Sequence, residues 1–182
     1  MRVITGSARG VQLLSPNGQN TRPTADRVKE GLFSAIQFEL AGARVLDLFA
    51  GTGQLGIEAL SRGAEFATFV DHSADAVKLV RENLRRTGLS EKAEVIQSDY
   101  LSFLQNLHKQ YDIIFLDPPY AENFLEIAMN FIVEIDILRD RGIIVCEKAA
   151  MKQLTVEKLS HFSRRDYRYG QVSLSVYRKD FV

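Results

Sequence analysis

From residue 44 onward, short apolar runs alternate with longer stretches whose apolar residues recur every three or four positions. The short runs, bounded by turn residues, predict strands over 45–49, 67–71, 93–97, 113–117 and 143–147. The longer stretches predict helices from the glycine-rich turn to about 62, then over 74–87 (closed by Gly88), 100–108, 123–135 and 152–159. Ahead of this region, residues 2–14 predict a short hairpin turning at 6–10. A polar loop follows over 15–23, with Pro16, Asn17 and Gly18 as breakers. Thr24 then predicts an N-cap for a helix over 25–40, whose stripe is Val28, Leu32, Phe33, Ile36 and Leu40. At the far end, 162–169 and 172–177 alternate with period two around Gly170-Gln171, an antiparallel hairpin at a sheet edge.

Strand–helix–strand repeated this often means parallel strands with crossover helices on both faces, an α/β fold. No internal repeat or linker interrupts it, so the expectation is a single domain over 1–182, with 1–40 as an N-terminal hairpin-and-helix extension.

Composition narrows the class. The chain is 46% apolar, enough to bury a core without staples, and its one cysteine, Cys146, permits no internal disulfide. No apolar run approaches the ~20 residues of a membrane span, and no signal-peptide core opens the chain. The expectation is a cytoplasmic protein without membrane or metal partners. His72, His108 and His161 stand apart without ligand spacing. The formal net charge is zero, but residues 1–35 carry +3, 36–147 carry −8 and 148–182 carry +5. Basic ends can grip a polyanion, and ordinary surface charge accounts for them equally well.

Five segments are candidates for chemistry. Asp47-Leu48-Phe49-Ala50-Gly51-Thr52-Gly53 joins a strand to a helix, the place where doubly wound folds bind nucleotides. Asp71 follows Gly51 by twenty residues, as in a dinucleotide fingerprint. A nicotinamide-dependent oxidoreductase is therefore one reading, but a carboxylate at Asp47 repels pyrophosphate. It suits a ligand bearing an ammonium and a sulfonium and no phosphate, which describes S-adenosylmethionine. Asp71, beside His72, can accept both hydroxyls of a ribose. Asp99, in Ser98-Asp99-Tyr100, can accept from an adenine amino group or cap a helix.

The most specific segment is Asp117-Pro118-Pro119-Tyr120, after an apolar strand. Two prolines remove two donors, so their carbonyls join Asp117 as an acceptor cluster. An exocyclic base amine is planar and a poor nucleophile. Acceptors gripping its hydrogens draw the nitrogen toward tetrahedral geometry, and Tyr120 can stack on a base held out of its helix. In Thr21-Arg22-Pro23-Thr24, Arg22 can reach phosphate or a cofactor carboxylate, or be plain surface charge. A binding module that merely keeps the fold is a further alternative, disfavoured by the intact acceptor cluster.

These residues in this order resemble the motifs of class I S-adenosylmethionine methyltransferases. More narrowly, Ile4-Thr5-Gly6, Arg22-Pro23-Thr24, the run from Gly56 to Ala64 and the closing Tyr169-Gly170 turn resemble the RsmD family over nearly the whole chain. Gln54 departs from the small residue expected in the turn. The resemblance implies a Rossmann-like fold with a seven-stranded, mostly parallel sheet. It implies methyl transfer from S-adenosylmethionine to the 2-amino group of a guanine in bacterial 16S ribosomal RNA, within a small-subunit particle, by a monomer. Adenine amino-methylation of DNA or another RNA is the alternative within the class. Asp47, Phe49, Gly51, Thr52, Gly53, Asp71, His72, Asp99, Tyr100, Arg22 and Thr24 would hold the cofactor, and Asp117, Pro118, Pro119 and Tyr120 would orient the target base.

Overall fold

The computed structural model describes residues 1–16, 23–119, 123–149, 154 and 159–180. Its framework is β1 (Arg44–Asp47), α2 (Gln54–Ser61), β2 (Phe66–Asp71), α3 (Ala74–Thr87), β3 (Ala93–Gln97), α4 (Tyr100–Gln105), β4 (Tyr111–Leu116), α5 (Phe124–Glu134), β5 (Leu138–Ala149), β6 (Phe162–Tyr169) and β7 (Val172–Lys179), preceded by α1 (Pro23–Ala35). The seven strands form one sheet in the order β3-β2-β1-β4-β5-β7-β6. The first five are parallel, and β7 runs antiparallel to both β5 and β6.

Alternating side chains serve two cores. Val45, Ile113, Phe115, Ile143 and Val145 join residues of α1, α2 and α3 on one face. Leu46, Ile114, Leu116, Ile144 and Cys146 join residues of α4 and α5 on the other. This is the period of two expected of strands covered on both sides. Cys146 lies fully buried, with its Sγ 3.4 Å from the Sδ of Met129. Strand β6 forms the outer edge and exposes Arg164, Arg165 and Arg168.

Four expectations change. Thr24 is not an N-cap: α1 begins at Pro23, whose fixed φ and missing N–H suit a first helical turn, and Thr24 lies inside that turn. The helix also stops at Ala35, although Ile36 and Leu40 remain buried beyond it. The N-terminal hairpin reduces to one antiparallel bridge, Arg2–Gln12. Strand β5 starts five residues earlier than its apolar run, because Arg139, Asp140 and Arg141 hide its first part and Arg141 takes a left-handed φ of 62°. The helix expected over 152–159 falls mainly outside the described residues.

What holds residues 1–14 in place is buried polarity. Glu58 is fully buried on α2, and its carboxylate accepts from the N–H groups of Ile4 (2.8 Å) and Thr5 (3.0 Å) and from Nε of Arg62 (2.8 Å). Lys29 lies 3.6 Å from the same carboxylate and donates to the Arg2 carbonyl at 2.6 Å. The Ser61 hydroxyl donates to the Thr5 carbonyl and accepts from the N–H of Ala8. Asn83 closes the segment: its Oδ1 accepts from Leu14, and its Nδ2 donates to the carbonyls of Leu14 and Thr52.

Glu58→Gln keeps the shape and removes the charge that Lys29 and Arg62 face. Urea unfolding is expected to show a loss of about 3 kcal/mol, since breaking a buried ion pair leaves uncompensated charge. A loss below about 1 kcal/mol would make the network dispensable, as surface pairs are.

Candidate active site

The carboxyl edge of the parallel sheet collects the predicted residues. β1 ends at Asp47, 1% exposed, and the chain turns through Gly51 (φ 54°) and Gly53 (φ 76°), both in the left-handed region, into α2. Only glycine takes that conformation at little cost. The Asp47 carboxylate accepts from the N–H of Gly56 at 3.1 Å. A side chain at Gly56 would collide with the ring of Phe69, so this helix sits against β2 as only glycine permits.

At the end of β2, Asp71 accepts from the N–H of Gly51 through one oxygen and from Ser73 through the other, both at 2.9 Å. It thereby ties the two turns together. His72 points outward, with Nδ1 3.5 Å from Asp71. After β3, Asp99 does cap α4, accepting from Leu101 (3.0 Å) and Ser102 (3.1 Å) through Oδ1. Phe49, Tyr100 and Phe124 pack as a triangle of rings, with centroids 5.2, 5.7 and 6.4 Å apart.

Several of these groups wall a cavity of about 710 Å³, lined among others by Phe49, Asp71, Asp99, Asp117, Pro118 and Glu147, whereas the buried Asp47 is not among its lining residues. Gly51, His72, Tyr100 and Pro119 also line it. Thr52 and Gly53 shape the turn without lining the cavity: the Thr52 hydroxyl donates to Met1 Sδ. Arg22, Tyr120 and the side chain of Thr24 lie outside the described residues. Phe124 and Glu147 are lining residues that sequence reasoning missed. Glu147 was legible only as the last residue of a strand.

A second cavity, about 530 Å³, lies between α1, α2 and the β6–β7 turn. Its walls include Leu32, Leu55, Val145, Tyr169 and Leu174, and it shares Asp117 and Glu147 with the first. Gly31 on α1 makes room for the Tyr169 hydroxyl, which lets the hairpin close over this space.

Charge is crowded at the junction. Burial pushes the Asp47 carboxyl up to about 7, and the charge of Asp71 adds to this against the Gly56 hydrogen bond. Burial also raises Asp117, with Glu147 and Asp47 pushing the same way. A pyrophosphate placed here would meet carboxylates on every side, whereas a cation would relieve them.

The chain matches the family described as conserved hypothetical protein 95 over residues 1–178. It belongs to that family, the RsmD family of S-adenosylmethionine-dependent methyltransferases. This RsmD-family chain is 40% identical to "Putative rRNA methyltransferase YlbH" of Bacillus subtilis, over 98% of this chain and 99% of that one. It is 33% identical to ribosomal RNA small subunit methyltransferase D of Escherichia coli K12, over 99% and 90% of the two chains. A solved Escherichia coli structure, "Putative methyltransferase yhhF", superposes with a TM-score of 0.87 at 33% identity, covering 100% of this chain and 99% of that one. Among the described residues, no helix of this RsmD-family protein is long and apolar enough to cross a membrane. The larger cavity fits the family's cofactor: a wall of rings stands with the carboxylates of Asp71, Asp99 and Asp117, acceptors for a ligand that carries hydroxyl, amino and cationic groups.

The raised Asp47 has a stability consequence. Folded, it keeps its proton to about pH 7; unfolded, only to the ordinary 3.8. Between those values the native state binds more protons, so its contribution to stability falls as pH rises and is fully lost above about 7. Asp47→Asn is expected to flatten that part of the urea-midpoint curve between pH 4 and pH 8. In the unaltered protein, affinity for a cationic cofactor should rise across the same range by calorimetry. Parallel curves for the two proteins would remove Asp47 from the site's electrostatics.

Proposed function

We propose that this chain transfers the methyl group of S-adenosylmethionine to the exocyclic 2-amino group of a guanine in bacterial 16S ribosomal RNA. The observation that carries this is the position of Asp117, on the wall between an aromatic- and carboxylate-lined cavity and a second, largely apolar one. The relatives named as small-subunit ribosomal RNA methyltransferases support the choice of RNA.

When bound, S-adenosylmethionine supplies a sulfonium methyl open to in-line attack by nitrogen. Asp47 and the turn at 51–53 hold its methionine part, Asp71 the ribose and Asp99 the adenine, with Phe49, His72 and Tyr100 around the ring. Asp117 and the carbonyls of Pro118 and Pro119 accept the hydrogens of the target amine and aim its lone pair toward the methyl carbon. Tyr120 stacks on the base. The alkylated amine is acidic, and Asp117 takes its proton. We assign Arg22 and Thr24 to contacts with the cofactor or the substrate.

The substrate is the small-subunit particle, in the cytoplasm where such particles assemble. A formally neutral chain, with its net positive charge confined to the two ends, suits a particle that adds its own protein contacts better than naked RNA. The protein works as a monomer, its exposed edge strand guarded by arginines against pairing with a copy of itself.

Mass spectrometry of ribosomal RNA from cells without this protein should show one guanine of 16S RNA lacking a methyl group. Purified protein and labelled cofactor should restore it. Asp117→Ala should lower turnover by about 1,000-fold and leave cofactor affinity within about threefold. Full activity in that variant, or a methyl on another base, would overturn the assignment.

A further inference from the structure

We propose that Glu147 reads the target base, making the site selective for guanine over other amino-bearing bases. The inference rests on the methyl-transfer function just proposed. Leu116 of β4 pairs in register with Cys146 of β5, so the next residues, Asp117 and Glu147, stand side by side at the carboxyl edge. They share strand parity as well. Ile113 and Phe115 before Asp117, and Ile143 and Val145 before Glu147, all face the core built on α1, α2 and α3. The second cavity lies on that side, and both carboxylates line it. The remaining walls there are largely apolar, among them Leu55, Leu116, Val145 and Leu174, as suits the faces of a planar ring.

Two neighbouring carboxylates require a particular hydrogen-bond pattern. Guanine carries three hydrogens in a row along one edge: two on the 2-amino nitrogen and one on N1. Asp117 accepts from the amine, and Glu147 accepts from N1–H beside it. The amino groups of adenine and cytosine are flanked instead by ring nitrogens that bear lone pairs. In the same pose those lone pairs would point at the Glu147 carboxylate. Donor–acceptor mismatch of this kind discriminates, because a ring lone pair would face a carboxylate oxygen of the half-buried Glu147.

The test uses full-length 16S RNA, joined by ligation and assembled into particles, with either guanine or 2-aminopurine at the mapped methylation position. 2-Aminopurine keeps the 2-amino group and replaces N1–H by a lone pair. The unaltered protein should methylate the guanine particle about 100-fold faster. In Glu147→Gln the side-chain amide can donate to that lone pair, so the preference should shrink below about tenfold. A cofactor titration and a thermal melt report whether the variant is folded. Should it not fold, Glu147→Ala is compared on the same two RNAs, and an undiminished preference in that variant would overturn the role of Glu147. Equal rates on guanine and 2-aminopurine, or an unchanged preference in a folded Glu147→Gln, would overturn the role of Glu147 and leave guanine methylation standing. No methylation of the guanine particle by the unaltered protein would overturn both.

Discussion

Asp47 and Asp117 end neighbouring parallel strands, and the charge they bring to one poorly hydrated place governs the site. β1 and β4 pair directly, with Asp47 opposite Phe115, so the second carboxylate follows two residues on. Parallel strands fed by crossovers all point the same way, and whatever follows each of them arrives at a common rim. The chain uses this to gather Asp47, Asp71, Asp117 and Glu147. Burial and neighbouring charge raise the carboxyls of Asp47 and Asp117, and a cationic ligand with donor groups offsets that cost. The carboxylates that disfavour phosphate at this rim are the same ones that favour a cationic ligand.

Much of the framework was readable in the chain. α3 begins after Ser73, whose hydroxyl caps it, and closes at Gly88, as the spacing predicted. β3 matches its apolar run residue for residue. These elements were legible because local propensity, capping and burial agree. Where they disagree the reading failed. The polar start of β5 concealed a strand held by its neighbours, and Thr24 looked like a cap although Pro23 already served as the opening residue. In the site, glycine spacing and the Asp-Pro-Pro-Tyr segment exposed one side of the chemistry. Glu147 stayed hidden, because its meaning comes from its neighbour across the sheet, which no local pattern records.

The N-terminal segment presents the inverse problem. Lys29, Glu58, Ser61 and Asn83 are buried polar residues on three different helices, and no periodicity marks them as partners. Together they satisfy backbone groups of a stretch that forms almost no regular structure of its own. Burying such groups is tolerable only when each finds a partner, and here they do. Asn83 bonds both to Leu14 and to the carbonyl of Thr52, so the first fourteen residues are fastened to the back of the glycine turn.

The lone thiol is equally shaped by its surroundings. Cys146 lies one residue before Glu147, yet it faces the opposite core, fully buried against Met129, and burial raises its pKa far above the free value. Oxidants and alkylating agents act on accessible thiolates, and this sulfur is neither accessible nor ionised. The fold therefore shields the thiol that immediately precedes Glu147 from redox chemistry. That shielding lasts for as long as the sheet stays covered.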